Sequence, residues 1–95
     1  MNFPTTPKFD LSGKRALVAG ASSGIGLAGA IALAEHGAEV ILAARRTDLL
    51  HDIVAQMTEN GWNARAVTLD VGDVAATVKT VETLGPFDIL LNSAG

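Results

Sequence analysis

Four short apolar runs alternate along this chain with three longer segments whose apolar residues recur at helical spacing. The runs are 14–19, 39–44, 64–69 and 88–91, near-continuously apolar as strands of a covered parallel sheet are. Between the first two lies an alanine-rich helix from about Gly24 to His36, with Ser22 or Ser23 placed to cap its start and Gly37 at its stop. Thr47 or Asp48 caps a second helix that carries Leu49, Ile53, Val54 and Met57 and ends at Asn60-Gly61. Asp73 caps a third, with Val74, Val78, Val81 and Leu84, and Gly85-Pro86 stops it. The order βαβαβαβ predicts an α/β fold with helices on both faces of a parallel sheet. Right-handed crossovers in a doubly wound arrangement place the strands in the order 3-2-1-4.

Composition narrows the function classes. Ninety-five residues, nearly half of them apolar, suit one small domain or part of a larger one. Residues 1–12 hold two of the three prolines and read as an extended arm, leaving 13–95 as the folded domain. The fourth run would leave Ile89, Leu90 and Leu91 on a sheet edge, an aggregation hazard that complete proteins cover. The expectation is therefore the front half of a longer protein, in preference to a sheet completed by another chain. A net charge of −3, with basic residues paired only at Lys14-Arg15 and Arg45-Arg46, makes no stripe for nucleic acid or anionic lipid.

The absence of cysteine excludes disulfides, thiolate nucleophiles and cysteine-based metal sites, and fits a reducing compartment. No basic segment followed by an apolar core opens the chain, and no apolar run approaches the roughly 20 residues of a membrane helix. The expected location is the cytoplasm. Scattered acidic residues offer neither a carboxylate pair nor a metal cluster. His36 and His51 fall on helices and read as surface residues before catalytic ones. Trp62 is placed to anchor the loop before the third strand.

The most informative stretch is 16–34, where an apolar strand runs into a loop holding Gly20, Gly24 and Gly26 and then directly into a helix. Glycines allow backbone to approach a ligand without Cβ clashes, and the free N–H groups of a helix start attract an anion. The spacing differs from Gly-x-Gly-x-x-Gly, and no lysine follows the last glycine as it does in triphosphate-hydrolysing loops. An ordinary glycine-rich turn is the plainer reading. The strand before and the helix after favour a phosphate or pyrophosphate cradle.

Three motifs, Ala-Gly-Ala-Ser-Ser-Gly-Ile-Gly at 19–26, Leu-Asp-Val at 69–71 and Asn-Ser-Ala-Gly at 92–95, each close a predicted strand. Together they resemble the nucleotide-binding half of the short-chain dehydrogenase/reductase family, and the likeness runs from Phe9 to Gly95. The resemblance implies a Rossmann-type fold. It also implies that Gly20, Ser22, Ser23, Gly24 and Ile25 contact the phosphates, ribose and nicotinamide end of a dinucleotide, with Gly26 letting the helix pack close to the sheet. Asp70 would accept from the adenine amino group and Val71 would donate its N–H to the ring; taken alone, Asp70 reads as a turn or capping residue. Asn92 would tie the central strands together, with Ala94 and Gly95 lining the nicotinamide-ribose side. Two departures stand out. Ala19 replaces the family's usual threonine, which predicts a tie to the fourth strand weakened by about 1 kcal/mol. Ser93 replaces the second asparagine of the common Asn-Asn-Ala-Gly.

The end of the second strand bears on cofactor choice. An NAD site places a carboxylate there for the ribose hydroxyls. This chain has none in 39–44 after Glu39 and continues with Arg45-Arg46. A guanidinium pairs bidentately with a 2′-phosphate, so NADP(H) is predicted over NAD(H), with Arg45 as principal ligand and Arg46 flanking it or stacking on adenine. A solvated pair opening the next helix is the alternative. Arg45 and Asp70 also weigh against FAD or a nucleoside diphosphate.

The family's hydride transfer uses a tyrosine as acid/base, a lysine that lowers its pKa, and a serine. The chain contains no tyrosine, and Lys14 and Lys79 lie in the wrong segments to substitute. No catalytic residue is therefore assigned, and the 95 residues are predicted inactive alone. The implied function is an NADP(H)-dependent oxidoreductase acting on a small-molecule alcohol or carbonyl, of 3-oxoacyl carrier-protein reductase or sugar-acid dehydrogenase type, homo-oligomeric when complete. A non-catalytic NADP(H)-binding or redox-sensing module is the alternative.

Overall fold

Seven elements follow one another as the apolar pattern requires: β1 (Arg15–Ala19), α1 (Gly24–Glu35), β2 (Glu39–Ala44), α2 (Asp48–Glu59), β3 (Ala64–Thr68), α3 (Val74–Leu84) and β4 (Ile89–Asn92). The computed structural model describes residues 10–21, 24–46, 48–70 and 72–93. Residues 1–9 lie outside the described residues, as do Ser22, Ser23, Thr47, Val71, Ala94 and Gly95.

All strand pairs are parallel, and the sheet order is β3-β2-β1-β4, the doubly wound Rossmann order expected. The fourth strand sits one residue later than its apolar run suggests. Asn92 pairs with Ala19 and so belongs to the strand, whereas Asp88 uses its carboxylate to accept the Arg15 N–H at 2.9 Å before pairing begins. His36 falls just past α1 rather than on it; its Nδ1 lies 2.6 Å from the Ala32 carbonyl oxygen.

Period-two alternation divides the core between the two faces. Val18, Val40, Leu42 and Ala44 pack against α1 and α2 through Ala30, Ala34, Leu50 and Met57. Leu17, Ile41, Ala43 and Leu69 form the other face, against Val81 and Leu84 of α3. Only β1 and β2 are buried along nearly their whole length; β3 and β4 are half-buried, because each has a neighbour on one side only. On α2 the buried stripe is Leu50, Ile53, Val54 and Met57, and Leu49 points outward, 59% exposed. Positions 50, 53, 54 and 57 repeat at i, i+3, i+4 and i+7, which one helix face can bury together. Val74 and Val78 of α3 are likewise exposed, while Val81 and Leu84 carry its contact with the sheet.

Trp62 anchors the turn before β3 as expected. Its N–H donates to the Met57 carbonyl at 3.0 Å, and its ring packs on the core. Gly26, Ala30 and Ala34 form the buried face of α1, small enough for the helix to lie close to the strands. Asp73 caps α3, its carboxylate accepting the Ala76 N–H at 3.0 Å. At the amino edge of the sheet Arg15 joins three elements. Its Nε donates to Glu39 at 2.9 Å, its Nη1 donates to the Leu84 and Pro86 carbonyls, and its guanidinium carbon lies 5.3 Å from the centre of the Phe87 ring. No helix among the described residues is long and apolar enough to cross a membrane.

Candidate functional site

Parallel strands deliver all four following loops to one edge of the sheet, so Gly20, Arg45, Asp70 and Ser93 share the carboxyl edge although 73 residues separate the first from the last. The helices change faces between β1 and β4, with α1 packed on one side and α3 on the other. In doubly wound sheets that switch point opens the crevice in which ligands bind.

The glycine loop leaves β1 at Gly20, whose φ of +76° is a left-handed conformation that side chains disfavour. The N–H groups of Gly20 and Ala21 donate to the Ala43 carbonyl at 3.0 and 3.4 Å, pinning the loop's start to β2. α1 then opens at Gly24 with its first turn toward solvent. Ile25, a large apolar residue, is 78% exposed there. Gly26 is buried, and a Cβ at that position would overlap the Gly20 carbonyl oxygen and the Ser93 hydroxyl. The close packing expected of Gly26 is thus a steric requirement.

Ser93 corrects the expectation of a loosened tie at Ala19. Its N–H donates to the Ala19 carbonyl at 3.0 Å, and its Oγ lies within donating distance of the carbonyls of Ala19 and Gly20, at 3.1 and 3.0 Å. The hydroxyl missing from β1 is supplied from the end of β4. Asn92 pairs with Ala19 in the register and is exposed at the edge. It also lines an open apolar groove between β4 and α3 with Leu17, Leu69, Val81 and Leu90.

Arg45 follows β2 directly, is exposed, and has no ion pair among the described residues. Arg46 differs: its Nη2 meets Asp48 Oδ2 at 2.9 Å. The Arg46 hydrogen bond, joined by backbone bonding and opposed by slight desolvation, holds the Asp48 carboxyl below the usual carboxylate range. Asp70 is exposed; its Oδ1 accepts the Gly72 N–H at 2.9 Å and its carbonyl accepts from Asp73. Asp70 therefore is a turn residue, with Oδ2 making no hydrogen bond among the described residues. Ser22, Ser23, Val71, Ala94 and Gly95 lie outside the described residues. His51 is exposed on α2, and no group of three His, Asp or Glu side chains gathers for a metal among the described residues.

Two residues do more than their sequence signal suggests. Asp48, a candidate cap, pairs with Arg46 two positions earlier. Ser93, a departure from the common motif, places a hydroxyl at the tie where position 19 has none.

The family model described as short chain dehydrogenase matches residues 14–95. The chain belongs to the short-chain dehydrogenase family. Among relatives in that family, a fatty acyl-CoA reductase of Mycobacterium tuberculosis is 40% identical over all of this chain and 34% of its own length. A gluconate 5-dehydrogenase of Gluconobacter oxydans is 44% identical over 92% of this chain and 36% of its own. The solved L-sorbose reductase of Gluconobacter frateurii, complexed with NADPH and L-sorbose, superposes with a TM-score of 0.75 at 39% identity, over 92% of this chain and 36% of that one. This chain spans about a third of the length of these short-chain dehydrogenase relatives.

Proposed function

We propose that this chain is the cofactor-binding part of an NADP(H)-dependent oxidoreductase that interconverts an alcohol and a carbonyl compound. The observation that carries the reading is the contrast at the end of β2: Arg45 is exposed without an ion pair among the described residues, while Arg46 is neutralised by Asp48. A 2′-phosphate meets a guanidinium there in place of the carboxylate that an NAD site presents. The residues present fit a dinucleotide. Gly20 turns the backbone without a side chain in the way, α1 begins at Gly24 with the N–H groups of its first turn lacking partners within the helix, and Asp70 has one carboxylate oxygen without a hydrogen bond among the described residues.

When bound, the nicotinamide supplies or accepts the hydride. The chain's own residues hold and orient it. Gly20, Ser22, Ser23, Gly24 and Ile25 surround the phosphates and riboses, and Gly26 keeps the helix start at the loop. Arg45 binds the 2′-phosphate with Arg46 at its flank. Asp70 and Val71 receive adenine, and Asn92, Ala94 and Gly95 border the nicotinamide ribose. The proton on the substrate oxygen is handled by residues outside these 95, which contain no tyrosine; the 95 residues alone bind cofactor and turn nothing over. Kinship with a gluconate 5-dehydrogenase and an L-sorbose reductase favours a polyhydroxylated substrate, sugar acids included, and the fatty acyl-CoA reductase keeps an acyl thioester, the 3-oxoacyl class included, as second choice. The full protein is a cytoplasmic homo-oligomer in this reading.

The test is a pair of titrations on the full-length protein, NADPH and NADH against wild type and Arg45→Ala. The preference for NADPH should fall by about tenfold or more, the scale of a charged hydrogen bond lost. An unchanged ratio would sink the assignment.

A further inference from the structure

The peptide joining Gly20 to Ala21 opens the glycine loop, and it is gripped from three sides. Its N–H, on Ala21, donates to the Ala43 carbonyl of β2 at 3.4 Å. Its carbonyl, on Gly20, accepts from Ser93 Oγ at 3.0 Å. Gly26 of α1 lies against that same carbonyl so closely that a Cβ would overlap it. A peptide unit is planar, with N–H and C=O pointing oppositely. Holding both ends sets the rotation of that peptide. One of the two grips is a single side-chain hydroxyl, and it comes from the loop that follows β4.

We infer that Ser93 is a positioning residue of the dinucleotide site, its hydroxyl fixing the glycine loop to the β4 loop across the switch point. The two loops serve opposite ends of the ligand: the glycine loop the phosphates, the 92–95 loop the nicotinamide ribose. A dinucleotide bridging them binds well only when their separation and orientation are set beforehand. Ser93 is built for that task. Its N–H donates to the Ala19 carbonyl, its hydroxyl has its one proton within reach of the Gly20 carbonyl, and its Oγ sits where a Gly26 side chain would otherwise lie. A tie from β4 also lets position 19 be alanine, so the short side chain there leaves the apolar groove beside Asn92 open. This inference rests on the dinucleotide reading above.

The experiment compares Ser93→Ala with wild type in the full-length protein, titrating NADPH and adenosine 2′-phosphate separately. The smaller ligand reaches only the Arg45 and Asp70 end. Ser93→Ala should raise the Kd for NADPH by about three- to tenfold, the effect of one net hydrogen bond, and leave that for adenosine 2′-phosphate within about twofold. Ser93→Thr, which keeps the hydroxyl, should bind NADPH within about twofold of wild type, and it carries the test if the alanine variant does not fold. Equal losses for both ligands, or no loss for NADPH, would reduce Ser93 to a structural residue and overturn the inference alone. Failure of wild type to bind NADPH or NADH would remove the dinucleotide reading itself, and the inference with it.

Discussion

The guanidinium of Arg15 and the carboxylate of Glu39 meet at 2.9 Å at the amino end of the sheet, the edge opposite the glycine loop. Both side chains are about three-quarters buried, and the same guanidinium serves the Leu84 and Pro86 carbonyls. Arg15→Ala leaves the largely buried Glu39 carboxylate and the Leu84 carbonyl without their donor. It should destabilise the domain by roughly 2–3 kcal/mol, read by chemical denaturation, while the Kd for NADPH of the folded protein stays unchanged. A loss of affinity matching the loss of stability would mean that the two edges are not independent.

At the other edge, a methyl group on Gly26 would meet the backbone carbonyl of Gly20, which cannot swing aside as a flexible side chain can. Gly26→Ala should cost about 1–3 kcal/mol in thermal stability through overpacking, and it should weaken NADPH binding further by displacing the loop. Unaltered melting and binding would show that α1 can move outward freely.

Substitution can separate the turn bond of Asp70 from the adenine contact proposed for it. Asparagine keeps an Oδ1 for the Gly72 N–H but removes the charge; alanine removes both. Asp70→Asn should melt near wild type and bind NADPH several-fold more weakly. Asp70→Ala should also lose about 1 kcal/mol of stability with its turn bond. If Asp70→Asn binds cofactor as wild type does, the residue is a turn former only.

The Asp48–Arg46 pair makes the fourth prediction. Arg46 holds the Asp48 carboxyl below the usual carboxylate range, so the pair stands through neutral pH and is lost as pH falls through that depressed value. Asp48→Asn frees Arg46 and should tighten NADPH binding by roughly twofold, the modest scale of an exposed pair. The gain should shrink with added salt and vanish in acid, where wild-type Asp48 is itself protonated. Weaker binding at neutral pH would show that Asp48 helps to hold the ligand.

Much of the frame was legible in the chain as written, for a local reason. Apolar runs, helical spacing and the punctuation of Gly37, Asp73 and Gly85-Pro86 act over a few residues, and they suffice for seven elements and a 3-2-1-4 sheet. The three glycines between a strand and a helix likewise mark, in the chain alone, the tight turn that joins β1 to α1. Burial was less legible. Leu49 and Leu50 are alike in type, but Leu50 shares one helix face with Ile53, Val54 and Met57; α2 docks on that face and leaves Leu49 outside.

The ties across strands were decided by tertiary structure alone. Ser93 reaches Ala19 across 74 positions of chain, and Arg15 reaches Leu84 across 69. No local pattern encodes which hydroxyl or guanidinium meets which carbonyl. Parallel register brings those groups together, and hydrogen-bond geometry selects among them over tenths of an ångström. Residue types along the chain thus determined a glycine loop between a strand and a helix on a parallel sheet, and folding decided that a serine just past β4 bonds the start of that loop.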